Sequence, residues 1–352
     1  MEWHYREENQ AAAFAREAYA ESLQKLVRQR RMQEDARRTT FAEEILRAPE
    51  AARKQFVEML GWPLTEYVPA QPLQVKSTLL HTEEAAQLQR LQLELWPGFW
   101  FEGLLFLHTD GRQHPFVLCQ HGGAGTPELC SGLLPMGSAN YNDMTQRVFE
   151  RGANVFAPQL YLWSTELFGG EAGQQGKTRD EIRRALDATL KNLGGSIMAV
   201  ELTCLRRCLD YFETMPWVLS GALGMVGLSY GGQYTLFLSA VEPRLRAALS
   251  SCYFNDRHTI EWPDYTWFDA AGHFLDAEIA LLSHLRKLFL QVGKQDPTFR
   301  VDGAAREWQR LRQLCGEKTE WVDFQMFDGE HEFDRDNTQL ERFMAAVQSG
   351  EA

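Results

Sequence analysis

The stretch ALGMVGLSYGGQYTLFLSAV at residues 222–241 decides how this chain is read. Residues 222–228 are apolar or glycine, which predicts a buried strand. Residues 231–241 predict a helix. Between them lies Gly227-Leu228-Ser229-Tyr230-Gly231, a G-x-S-x-G pentapeptide followed by Gly232. A nucleophilic serine has to project from a tight strand-to-helix turn, and flanking glycines keep the neighbouring backbone from clashing there. Ser229 is therefore the candidate nucleophile.

Working outward, each partner that such a serine needs has a place. Upstream, a strand at 115–120 runs into His121-Gly122-Gly123-Ala124-Gly125. A tetrahedral intermediate carries an oxyanion that needs two preorganised N–H donors. The amide of Tyr230, just after the serine, is one candidate and the amide of Gly123 is the other. Downstream, the apolar strand 287–292 is followed by Gly293-Lys294-Gln295-Asp296, which puts a carboxylate just past a strand end. The last strand, 321–327, is followed by Asp328-Gly329-Glu330-His331. A histidine in that turn can swing over the nucleophile. Asp328 and Glu330 lie too close to His331 in sequence to face its ring easily. The order Ser229, Asp296, His331 is the serine, acid, histidine order of one known arrangement.

Around these motifs the chain alternates. Strands are expected at 73–80, 89–96, 102–108, 115–120, 153–157, 222–228, 247–253, 287–292 and 321–327. Helices are expected at 141–151, 196–214, 231–241, 302–315 and 335–348. The early strands follow each other as hairpins do. From 115 onward strand and helix alternate, which predicts an α/β fold with a mainly parallel sheet covered by helices on both faces. Two stretches break the alternation. Residues 159–195 hold Gly169, Gly170, Gly173 and Gly176, then a polar helix-like run. Residues 254–284 hold Trp262, Tyr265, Trp267, Phe268 and Phe274. Both follow strands, where such sheets place binding pockets. His121, Trp262 and Trp267 are the expected pocket lining. The aromatics of 254–284 must pack somewhere, either over Ser229 or against residues 1–64.

Residues 1–64 read as an N-terminal helical extension outside a catalytic domain at 65–352. Tyr19, Leu23, Leu26 and Val27 follow helical spacing. Thr40 and Glu43 suggest a capping box opening a second helix, and Gly61 with Pro63 ends it. The run Arg28, Arg30, Arg31, Arg37, Arg38 is interrupted by Glu34 and Asp35, so it reads as a solvated face or a subunit contact rather than a nucleic-acid arm. A homo-oligomer through these helices is the one protein partner expected.

The 352 residues carry 36 lysines and arginines against 48 acids, a net charge of -12. Residues 1–64 hold 11 basic and 11 acidic side chains, so the whole excess sits after residue 64. An acidic chain is a poor binder of phosphate backbones, which argues against nucleic acid and anionic membrane as partners. The N-terminus lacks the pattern of a signal peptide, and no run matches a membrane span. Six cysteines without a C-x-x-C pair suggest reduced thiols in a cytoplasmic protein. Cys204 and Cys208 share a helix face and read as core. His258 and His273 lack acidic ligands at metal spacing, so no metal and no cofactor is expected.

Taken together, H-G-G at 121–123, G-L-S-Y-G-G at 227–232, G-K-Q-D at 293–296 and G-E-H at 329–331 resemble the α/β-hydrolase superfamily. Within it, they are most similar to the dienelactone hydrolase and acetyl xylan esterase branch of serine esterases. G-S-I-M-A-V-E-L-T at 195–203 and the long insertion before strand 287–292 also resemble that branch. The resemblance covers about 100–348 and implies an α/β-hydrolase fold acting on an ester of a small molecule through an acyl-enzyme. Two positions depart. Pro158 is followed by Gln159, Leu160 and Tyr161 where many relatives carry Pro-Asp and glycine. Ser229 stands where dienelactone hydrolases proper use cysteine, which favours an esterase. A peptidase or lactonase of the same fold is the nearest alternative. A non-catalytic ligand-binding or assembly protein is the more distant one, and an intact triad argues against it.

Overall fold

The computed structural model describes residues 3–163, 178–260, 262–284, 286–316 and 318–349. Among them, nine strands form one sheet in the order β1-β2-β3-β5-β4-β6-β7-β8-β9. The strands are β1 (Val75–Glu83), β2 (Ala86–Trp96), β3 (Phe99–His108), β4 (His114–Gln120), β5 (Asn154–Pro158), β6 (Val218–Leu228), β7 (Leu245–Ser251), β8 (Lys287–Gly293) and β9 (Val322–Phe327). Each sequence-predicted strand has its counterpart. The strands from β1 to β3 pair antiparallel, β5 pairs antiparallel with β3, and every pairing from β5 through β9 is parallel.

The central strands are apolar on both faces because helices cover both. In β4, Phe116 and Leu118 point into one core layer while Val117 and Cys119 point into the other. The first layer packs under α1 (Ala13–Arg47), α2 (Pro49–Leu60), α6 (Ile197–Phe212), α7 (Tyr230–Val241), α8 (Asp276–Leu281) and α9 (Val301–Cys315). The second packs under α3 (Pro127–Cys130), α4 (Met144–Phe149) and α10 (Thr338–Gln348). One further helix, α5 (Arg179–Asn192), opens on a Thr178–Glu181 capping box. It is the polar run expected near 192. The glycines expected before it, Gly169 to Gly176, lie outside the described residues.

The capping box expected at Thr40 does not open a helix. Residues 13–47 are continuous, because Glu34, Arg38, Phe41, Ala42 and Ile45 form one buried face across that point. The break falls at Ala48, where Pro49, which has no N–H to lose, starts α2. The arginine run divides. Arg38 is buried, with Nη2 2.7 Å from Glu278 Oε2 and 2.9 Å from Glu307 Oε1. Arg310 Nε supports Glu278 Oε1 at 3.0 Å, and the Ala277 amide donates to Glu307 Oε1 at 2.9 Å. Arg28 and Arg31 are exposed. This cluster locks the second half of α1 onto α8 and α9, while residues 13–33 are exposed throughout.

Candidate active site

The residues singled out by sequence come together at the C-terminal ends of the parallel strands. Ser229 caps α7 with φ 60° and ψ -121°, a left-handed conformation rare outside glycine. The turn that imposes it admits no side chain at its glycines. A Cβ on Gly227 would sit 2.4 Å from the Gly231 carbonyl, and one on Gly231 would sit 2.1 Å from Gln120 O. The glycine loop at 121–125 is pressed against this elbow. A Cβ on Gly122 would approach Ser229 Cβ to 3.0 Å, and one on Gly123 would lie 3.2 Å from the Tyr230 ring.

The acid and the histidine face each other. His331 Nδ1 lies 2.7 Å from Asp296 Oδ2. The other carboxylate oxygen, Oδ1, accepts the amides of Thr298 and Phe299 at 2.8 and 2.9 Å. The Phe299 ring stacks on the imidazole at 5.6 Å. The two loops are laced together, with the Gln295 amide donating to Gly329 O and the Asn140 side chain donating to His331 O. Asp328 points elsewhere, accepting from Gln295 Nε2 at 2.9 Å. Ser229 and this pair border the same strand end, that of β7. The Ser229 amide donates to Ser251 O, and the next residue, Cys252, brings its Sγ within 4.8 Å of the facing atoms of Asp296 and His331. Burial pushes the Cys252 thiol up to about 12. Cys252, Asp296 and His331 are the one group of three potential metal ligands that converge among the described residues. His258 and His273 stand apart, His258 beside Asp35 and Asp256 and His273 beside Asp269.

The three expected lining residues separate. Trp262 stacks on the Tyr230 ring at 5.9 Å. Trp267 is buried against Phe237 and Arg257. That places it in the packed interior, where the elbow helix meets the insertion. His121 is fully buried. Its Nδ1–H donates to Gly122 O at 2.8 Å, while Nε2 accepts the Leu160 amide at 3.1 Å. With no exposed edge, the ring supports the glycine loop instead of lining a pocket. Burial pushes its pKa down to about 4. The aromatic insertion divides likewise, with Trp262 and Tyr265 meeting Tyr230 and Phe274 meeting Phe41 and Phe56 of the N-terminal helices. Both expected destinations are used, but Phe268 takes neither and is 97% exposed, against the expectation that all five aromatics pack.

Sequence reading missed two supports. Tyr141 is buried, and its hydroxyl accepts the Gly122 amide at 2.8 Å. Arg183, on α5, is buried between Asp264 and Glu201 at 3.0 Å each, donates to Tyr234 Oη at 2.7 Å, and lies over the Tyr230 ring. Asp264 also accepts from Tyr230 Oη at 2.9 Å. The network ties both insertions to the elbow. No local pattern marks either residue, since each acts through partners distant in sequence.

No helix among the described residues is long and apolar enough to cross a membrane. Residues 132–347 match the model of the dienelactone hydrolase family. The chain is 22% identical over 222 residues to "Putative hydrolase YtaP" of Bacillus subtilis (strain 168), an alignment spanning 59% of this chain and 65% of that protein. Its fold is similar to that of a "putative acetyl xylan esterase" from Bacteroides fragilis NCTC 9343, with TM-score 0.59 and 13% identity, covering 81% of this chain and 76% of the other. A glucuronoyl esterase from Solibacter usitatus matches with TM-score 0.59 and 14% identity over 86% of this chain and 92% of the other. The family match spans the elbow, the acid loop and the histidine loop, and on it the chain belongs to the dienelactone hydrolase family of the α/β-hydrolase fold.

Proposed function

We propose that this protein is a serine hydrolase that cleaves a carboxylic ester of a small molecule through an acyl-enzyme. The observation that carries the reading is the backbone of Ser229. A non-glycine residue held at φ 60° costs energy that persists only where the surroundings impose it, and such sites cluster where chemistry is done. Asp296 faces Nδ1 of His331, which fixes the tautomer that leaves Nε2 as the base.

In this mechanism, His331 Nε2 takes the Ser229 hydroxyl proton as Oγ attacks the ester carbonyl. Asp296 stabilises the imidazolium. The oxyanion is bound by the amide of Tyr230, which as the first residue of α7 has no intrahelical acceptor. The second donor is the Gly123 amide, since the Gly122 amide is already taken by Tyr141. His331 then protonates the leaving alcohol. Water, activated by His331, releases the acid. No step calls for a cofactor or a metal. Six free cysteines, five of them buried, fit a reducing cytoplasmic setting.

The test is labelling by a fluorophosphonate probe, followed by a panel of esters varied in acyl length. Wild-type protein should be labelled and Ser229→Ala should not. An unlabelled wild type, or equal labelling of both, overturns the reading.

A further inference from the structure

The first half of α1 is a surface without an occupant among the described residues. Every residue from 13 to 33 is exposed, a stretch of roughly 30 Å at 1.5 Å per residue. Most of a helix's stability in a protein comes from packing an apolar face. Here such a face exists. Tyr19 is 70% exposed, Leu23 46%, Leu26 61% and Val27 53%. Their 3-4 spacing makes one stripe. It continues N-terminally the face that Glu34, Arg38, Phe41 and Ile45 bury against the catalytic body. Half of one seam is occupied and half is open.

The charge pattern says what covers the open half. Residues 3–21 carry Glu7, Glu8, Glu17 and Glu21 against Arg6 and Arg16. Residues 22–33 carry Lys25, Arg28, Arg30 and Arg31 and no carboxylate. Glu17 and Arg28 lie on the same flank of the helix. A parallel pair of such helices would set base against base over the last three turns. An antiparallel pair sets the acidic half of each helix along the basic half of the other.

We propose that residues 13–33 pair antiparallel with the same helix of a second copy of this chain, forming a two-fold homodimer. Such a contact uses the same patch on both subunits and closes on itself. Centred on Leu23 and Leu26, it buries the apolar stripe and sets Glu17 and Glu21 beside the partner's Arg28 and the partner's Arg31. The small side chains of Ala12, Ala15 and Ala20 let the backbones approach. The seam leads to the candidate site. Asp35, one residue past the first buried position, lies 3.5 Å from His258 of the insertion that carries Trp262.

The experiment is sedimentation velocity on the full chain at micromolar concentration, which reads mass and is independent of any esterase activity. Wild type is expected as a dimer. Leu23→Glu with Leu26→Glu should give a monomer that still unfolds cooperatively, with a Tm that no longer depends on protein concentration, because neither side chain touches the body. Glu17→Arg with Glu21→Arg should weaken the dimer at least tenfold, and adding Arg28→Glu with Arg31→Glu should restore it. A monomeric wild type overturns the proposal, as does a dimer that survives the two leucine substitutions. Failure of the charge swap to rescue overturns the antiparallel pairing. A monomer that binds phosphatidylserine vesicles through the stripe would assign the surface to a membrane instead.

Discussion

The Asp296–His331 pair and the Arg38–Glu278–Glu307 cluster both hold buried carboxylates, yet they are built in opposite ways. In the cluster every participant is enclosed, with side-chain exposures of 4%, 0% and 4%. Glu278 has a second arginine and Glu307 a backbone amide, so each carboxylate has a partner besides Arg38. In the pair, the carboxylate is enclosed by two backbone amides, but the imidazole keeps 22% of its surface open. A closed cluster holds segments together, because removing one member strands a buried charge. A pair with one open edge can exchange a proton with something outside it. The first should govern stability and the second turnover.

The sharpest way to break this division is at the site. Ser229→Ala should lower kcat by ~10⁴-fold or more while leaving the unfolding midpoint in place. Retention of more than a few per cent of activity would sink the assignment. Asp296→Asn should lower kcat by on the order of 10³–10⁴-fold, since the histidine tautomer is no longer fixed. Asp328→Asn, on an exposed carboxylate, should stay within about twofold. Reversed effects would move the acid to Asp328.

The closed cluster should respond in the other currency. Arg38→Met leaves Glu278 and Glu307 short of a partner and should cost about 3 kcal/mol in urea unfolding, with kcat changed little. Arg28→Met, in the exposed half of the same run, should cost less than about 0.5 kcal/mol. Equal costs would show that the lock does not hold α1.

Acid should test the loop support. His121 is neutral in the fold, with its pKa pushed down to about 4 by burial against an ordinary value of ~6.5. The unfolded chain therefore binds the extra proton first. Stability from this group is present above ~6.5 and is lost as pH falls toward about 4, by up to about 3 kcal/mol. Because Glu307 tilts the other way over nearly the same window, the readout is a difference: as pH falls, the urea midpoint of His121→Asn should rise relative to that of wild type, giving the two proteins different slopes. An unchanged slope would remove His121 from the account. Glu307, pushed up to about 7 by burial, tilts the opposite way, so its contribution is lost as pH rises through about 7.

The most specific effects belong to the two tryptophans. Trp262→Ala should change the preference among acyl lengths more than it changes Tm, because the ring stacks on Tyr230 beside the elbow. Trp267→Ala should do the reverse, costing about 3 kcal/mol through the cavity it leaves against Phe237. Identical profiles would mean that the insertion acts as one packed unit.

The sheet was legible because buried parallel strands are short apolar runs and the helices between them are periodic. β6 begins four residues earlier than its apolar run. Gly221, at φ 69°, lets the strand continue past a polar edge that interrupts the pattern. The triad candidates were legible because each sits in a glycine turn directly after a strand. The capping box at Thr40 misled because Ser/Thr-x-x-Glu signals a helix start only where the preceding residues are not already helical. Here Arg38 and Phe41 keep one face buried through that point.

Sequence by itself determined the order of strands and helices, the elbow around Ser229, and the pairing of Asp296 with His331, because those rest on local turn chemistry and chain order. Tertiary structure alone decided which of five arginines is buried, that Tyr141 and Arg183 brace the glycine loop and the elbow, and that Trp262 and Trp267, five residues apart, serve different parts of the molecule. Those outcomes depend on charges and surfaces brought together from positions up to 269 residues apart, as Arg38 and Glu307 are, and no local pattern encodes such a meeting.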